Sequence, residues 1–225
     1  MTTFVLVPGA GGAAWYWHRV VPLLTAAGHE AIALELPADD PASGLPEYAR
    51  IVSDAVGSRP DAVIVAQSLG SFSATQAAAS GKHPGLRGLV FVNAMIPERG
   101  ETAGDWWDHV DHEAAVRSAA EAGGWPVEFD LETHFTHDVP PDVLASGADH
   151  QRDETDTVFA APCDFTAWPP ITIRVVAGRD DRFFPVAFQQ CVSRKRLGIE
   201  ADVLPGGHLM ALSRPAELAD YLLAV

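Results

Sequence analysis

Apolar runs bounded by turn residues recur along the 225-residue chain at Thr3–Val7, Glu30–Leu34, Ala62–Ala66, Leu89–Asn93, Ile171–Val176 and Ala201–Leu204. Most are continuous rather than alternating, the pattern of parallel strands covered on both faces. The stretches between them read as helices, as the crossovers of a parallel sheet require. Trp17–Ala27 is expected to be a helix ending at Gly28 and perturbed by Pro22. Leu45–Val56 carries Pro46 in its first turn and Gly57 after its last, and Pro185–Leu197 repeats that signature with Gly198. Phe72–Ser80 is a helix of small residues, and Pro215–Leu223 is the last helix, with Ser213 as its expected cap. The pattern predicts an α/β protein with about six mostly parallel strands, undivided by any repeat or linker.

The alternation breaks between Glu98 and Trp168. This stretch holds scattered helix-forming pieces, many Asp, Glu and His residues, and Trp106, Trp107, Trp125 and Trp168. It reads as an insertion before the fifth strand, of the kind that closes over a site, excludes water and shapes a pocket.

The third strand ends abruptly in Ala66-Gln-Ser-Leu-Gly70, with a helix directly after it. A strand, a sharp turn and a helix with serine at the apex is the context of a strained Gly-x-Ser-x-Gly elbow that exposes a hydroxyl. Ala66 stands where the first glycine would be. A serine alone is a poor nucleophile at neutral pH and needs a base and an orienting acid. Asp180 and Asp181 follow the fifth strand, and His208 follows the sixth after Pro205-Gly-Gly207. All lie just beyond strand ends, which in a parallel sheet share one edge. The order Ser68, Asp, His208 is that of a hydrolase elbow enzyme, with the amide of Leu69 as one oxyanion donor. Ser68 read as an ordinary turn serine, or His208 as one of nine scattered histidines, explains this order less well.

Charge narrows the partners. Fifteen basic against 30 acidic residues leave a formal charge of −15, which argues against nucleic acid or an anionic membrane as partner. Two cysteines are too few for a disulfide framework, and no leader-like or membrane-spanning apolar run is evident, so a cytoplasmic location is expected. The glycines of Gly9-Ala-Gly-Gly12 complete no phosphate-binding spacing and no lysine follows them. His109 and His112 beside Glu113, and His134 and His137 beside Asp138, could share helix faces, but they lack a zinc-site pattern and read as solvated polar surface. No metal and no cofactor is expected.

Taken whole, the chain resembles the α/β-hydrolase superfamily, and within it the small plant methylesterase and hydroxynitrile lyase group. Val5-Leu-Val-Pro-Gly-Ala-Gly-Gly-Ala-Ala-Trp-Tyr-Trp17 is similar to that group's opening, with Pro8 in place of its histidine. Gly206-Gly-His-Leu-Met-Ala-Leu-Ser-Arg-Pro-Ala-Glu-Leu218 is similar to its catalytic-histidine segment. The resemblance implies a three-layer α/β-hydrolase fold, with residues 1–97 and 169–225 as core and 98–168 as a small helical cap. It implies Asp181 rather than Asp180 as the acid, and Ala10 as the second oxyanion donor. Gly9, Trp15, Trp106, Trp107 and Leu209 become candidates for the pocket, although the tryptophans suit core or cap packing equally. The implied reaction is hydrolysis of a small, fairly apolar carboxylic ester through an acyl-enzyme on Ser68. Two alternatives stand beside it. A cyanohydrin-cleaving lyase would carry a threonine at Gly9 and a lysine at Leu209. A non-catalytic or single-turnover ligand-binding protein on the same fold is the other, since fold does not determine function.

Overall fold

The computed structural model describes residues 1–225. Six strands, β1 (Thr3–Val7), β2 (Glu30–Ala33), β3 (Ala62–Gln67), β4 (Leu86–Val92), β5 (Thr172–Gly178) and β6 (Asp202–Leu204), form one sheet in the order β2-β1-β3-β4-β5-β6. Every neighbouring pair is parallel. Ten α-helices accompany them. They are α1 (Val21–Ala26), α2 (Leu45–Val56), α3 (Gly70–Ala79), α4 (Ala103–His109), α5 (His112–Gly123), α6 (Pro141–Ser146), α7 (Thr157–Ala160), α8 (Val186–Leu197), α9 (Met210–Ser213) and α10 (Pro215–Leu223).

The continuous apolar strands are explained by the two cores they feed. Successive strand side chains point to opposite faces. Val5, Val7, Ile64, Ala66, Leu89, Phe91, Val175 and Ala177 enter one core with α2, α3 and α8. Phe4, Leu6, Val63, Val65, Val90, Val92 and Val176 enter the other with α1, α9 and α10. The result is a sheet between two helical layers. Leu45, Tyr48, Ala49, Val52 and Val56 show how a layer is specified: spaced by three or four residues, they bury one face of α2.

Two local expectations fail. In place of one helix over Trp17–Ala27, a 3₁₀ turn spans Ala14–Trp17 and α1 begins at Val21. Pro22 lies in the first turn of α1, where its missing N–H costs nothing, so the helix starts at the proline instead of being disturbed by it. Ser213 does not cap α10. It is the last residue of α9, and Arg214 takes the position before Pro215 without any side-chain cap. Held in helical backbone, Ser213 cannot adopt the extended conformation of a cap, and its buried hydroxyl has no partner.

Between β4 and β5 the chain runs through α4 to α7, a π-helical turn at Glu132–Thr136 and a 3₁₀ turn at Ala148–His150. A bridge between Thr102 and Pro162 closes its base. Glu101, 3% exposed, accepts from Arg196 of α8 at 2.8 Å and tethers that base to the core. No helix of the protein is long and apolar enough to cross a membrane.

Candidate active site

The sheet order reverses direction at β1 and β3, which places the loops after these two strands on either side of a crevice at their carboxyl ends. Ser68 follows β3 with φ of +48°, a left-handed backbone that serine adopts only when its surroundings enforce it. The enforcement is close packing. A Cβ on Gly70 would lie 2.2 Å from the Pro8 carbonyl oxygen, and one on Gly9 would lie 2.3 Å from Gln67 Oε1. Glycine at both positions lets the first loop press against the elbow. Ala66 sits fully buried inside β3, paired in register with Val7 and Phe91, so its methyl belongs to the core.

Ser68 Oγ and His208 Nε2 are 3.2 Å apart, and His208 Nδ1 is 2.9 Å from Asp181 Oδ2. A carboxylate only accepts, so Nδ1 carries the proton and Nε2 is free to take the serine's. His208 is fully buried, edged by the rings of Phe135, Phe183 and Phe184 at 4.6, 5.1 and 4.9 Å. Asp181 is held in turn by the amides of Phe183 and Phe184 at 2.9 and 2.8 Å on Oδ1, and by Gln189 on Oδ2. Its neighbour Asp180 points away and accepts from the Gly206 amide at 3.0 Å. Burial opposes the charge of Asp180, but Arg179 and that amide hold its carboxyl below the usual range. Asp180 therefore braces the loop.

The amides of Ala10 and Leu69 donate to no acceptor of the protein. Both residues line a cavity of about 830 Å³ together with Ser68 and His208. Unpaired backbone donors at such a place are set to receive a developing negative oxygen. Gly9, Trp15, Trp107 and Leu209 line the same cavity. Trp15 is stacked between His18 and His150, with ring centroids 4.6 and 5.8 Å away. Tyr16 lines it too, and burial raises its hydroxyl far above the usual range, which keeps it protonated.

Trp106 is a correction. It is fully buried and absent from the cavity wall, its indole N–H donating to the Ile96 carbonyl at 3.0 Å. Its ring meets Trp107 edge-on at 5.3 Å, so it supports the residue that reaches the cavity. Adjacent positions on a helix face different directions, and only Trp107 is on the open side. The histidine pairs separate as well. His109 pairs with Glu101, His112 with the Phe183 carbonyl and His134 with the backbone of Asp130. Burial depresses the basicity of His112. No three His, Cys, Asp or Glu side chains are arranged to hold a metal ion.

Sequence reasoning overlooks several residues that shape this site. Asn93, fully buried with φ of +45°, donates to the carbonyls of Gly207 and His208 at 2.9 and 3.1 Å and accepts from the Gly178 amide at 2.7 Å. It joins the ends of β4 and β5 to the histidine loop. The one local signal is a polar residue ending an apolar strand. Glu154 and Asp138 reach the two site loops from the segment between β4 and β5. Glu154 Oε2 accepts from Gly11 N–H at 2.9 Å, and Asp138 Oδ2 from Gly207 N–H at 2.7 Å. Nothing in the local sequence marks either contact.

A rice protein named "Probable esterase PIR7A" (Oryza sativa subsp. indica) is 38% identical over 112 residues. That stretch is 45% of this chain and 42% of the relative, so the match spans under half of the relative's length. An alpha-hydroxynitrile lyase of Arabidopsis thaliana is 34% identical over 42% of this chain and 40% of its own. Among solved structures, polyneuridine aldehyde esterase superposes with a TM-score of 0.79 at 19% identity, covering 100% of this chain and 98% of that one. That likeness establishes the shared fold, and a family model matches residues 4–221, nearly the whole length: the chain belongs to the alpha/beta hydrolase family.

Proposed function

We propose that this protein hydrolyses small, fairly apolar carboxylic esters through an acyl-enzyme on Ser68. The hydrogen-bonded series Ser68–His208–Asp181 at the wall of a mainly apolar cavity carries the reading. Ser68 Oγ attacks the ester carbonyl carbon as its proton passes to His208 Nε2, and Asp181 steadies the imidazolium. The amides of Ala10 and Leu69 hold the oxyanion. The carbon–oxygen bond to the alcohol breaks, and the departing oxygen takes the proton from His208. Water then gives a proton to His208 and attacks the acyl carbon, and the acid leaves as Ser68 regains its hydrogen. No cofactor enters these steps. Residues 98–168 act as the cap, supplying Trp107, Leu131, Phe135 and Leu144 to the acyl and alcohol space.

The site residues disfavour the lyase alternative, despite the likeness to a relative of that name. Gly9 and Leu209 occupy the positions at issue, and the cation that does reach the cavity, Arg152, is paired with Glu35. The non-catalytic alternative is met by experiment. Purified protein should turn over p-nitrophenyl acetate many times and label with a fluorophosphonate. Ser68→Ala should abolish labelling and lower turnover by about 10⁶-fold, the loss typical of a removed triad nucleophile. Wild-type turnover by Ser68→Ala would refute the proposal.

A further inference from the structure

Gly11 and Gly207 lie beyond the ends of β1 and β6, where the sheet offers no partner, and neither amide donates to a backbone carbonyl. Each is instead taken by a half-buried carboxylate from residues 98–168, Glu154 and Asp138. Gly11 directly follows Ala10, and Gly207 directly precedes His208. Charge-assisted bonds of this kind are stronger than neutral ones. Glu154 is itself fixed, since Oε1 accepts from the hydroxyl of Tyr48 in α2 at 2.6 Å. The neighbouring Thr155 amide separately donates to the Ala38 carbonyl at 2.9 Å. The cap is thus docked without Glu154, and the carboxylate is left to act on the loop.

We propose that Glu154 and Asp138 are positioning residues through which the cap sets the reacting geometry, Glu154 aiming the oxyanion donor Ala10 and Asp138 seating His208. This rests on the ester-hydrolase reading above. A misplacement near 1 Å at a reacting group costs about 100-fold in rate, so loss of either tether acts on kcat. The two act on different parts of the chemistry. Glu154 bears on the oxyanion, whereas Asp138 bears on proton transfer.

The experiment compares p-nitrophenyl acetate with its thionoester, whose developing sulfur anion uses N–H donors poorly. Glu154→Ala should lower kcat on the oxygen ester by about 10- to 100-fold. KM should stay nearly constant, and the preference for oxygen over sulfur should shrink. Glu154→Gln keeps an acceptor and should recover most of the rate. Asp138→Ala should slow both substrates alike, with Asp138→Asn recovering the rate. Should an alanine variant fail to fold, Tyr48→Phe, which frees Glu154 from α2, is read by the same oxygen-to-sulfur ratio and should reduce it. Variants with wild-type kcat and an unchanged ratio, altered only in melting temperature, would show that the carboxylates merely dock the cap and would overturn the proposal. A wild-type protein inert to both esters and to fluorophosphonate would instead overturn the ester-hydrolase reading, and this inference with it.

Discussion

Replacing Asp181 by asparagine removes a charge while keeping the side chain's shape, and the contacts around it specify the consequence. In the native site Oδ1 takes the amides of Phe183 and Phe184, while Oδ2 takes His208 Nδ1–H and Gln189 Nε2–H. Asparagine has one oxygen for these four donors. The two backbone amides cannot turn away, so the oxygen stays with them and the new NH₂ faces His208. Two donors then meet across the 2.9 Å gap. The imidazole relieves this by moving its proton to Nε2, where it confronts the Ser68 hydroxyl and can no longer accept a proton. The wrong tautomer costs about 10⁴-fold in kcat, or ~5 kcal/mol of transition-state stabilisation at 1.36 kcal/mol per decade. Asp180→Asn, by contrast, still offers an oxygen to the Gly206 amide and should change kcat by less than about threefold, as expected for a residue outside the reacting geometry. Steady-state hydrolysis of p-nitrophenyl acetate by the two variants, with circular dichroism to verify folding, measures both. A reversed ranking, or an Asp181→Asn enzyme within tenfold of wild type, would refute the assignment of the acid.

Trp106→Ala should destabilise the protein by about 3–5 kcal/mol through the cavity it leaves, read as a shift in the denaturation midpoint. Trp107→Ala should chiefly alter KM and widen acyl selectivity across p-nitrophenyl esters of increasing length. Asn93→Ala should lower both kcat and melting temperature, at about 1–3 kcal/mol for each buried group left unpaired. Glu101 titrates below its ordinary 4.5, because Arg196, the Glu98 amide and His109 outweigh the burial that opposes its charge. Its folded pKa being depressed, the stability it contributes is complete above about pH 4.5 and lost as pH falls through the folded value. Arg196→Met, leaving that carboxylate buried without its main partner, should cost about 3–5 kcal/mol at pH 7 in urea titrations.

What the chain alone determines is whatever local sterics and periodicity encode. Runs such as Ala62–Gln67 must be buried on both faces, and small residues at 70 and 9 permit an elbow beside a glycine loop whatever lies elsewhere. The order of Ser68, Asp181 and His208 follows from the same strand-end rule, since parallel strands end on one edge. Adjacent candidates are another matter. Asp180 and Asp181 are chemically identical, and resemblance to a family distinguishes them where composition does not. Trp106 and Trp107 are identical too, and only the rotation of α4 against Phe184 and Phe188 sends one inward and the other to the cavity. Outside the triad, contacts between residues remote in sequence left no trace in the sequence. Glu154 meets Gly11 across 143 positions, and Asn93 meets His208 across 115. Each is a single hydrogen bond made by a residue type common on any surface, so no periodicity records it. Even the fate of Ser213 was settled by its neighbours, because α9 buries Met210, Ala211 and Leu212 in the core and claims as helix a residue whose chemistry suits a cap. Side-chain chemistry names the candidates, and their packing decides which of them meet.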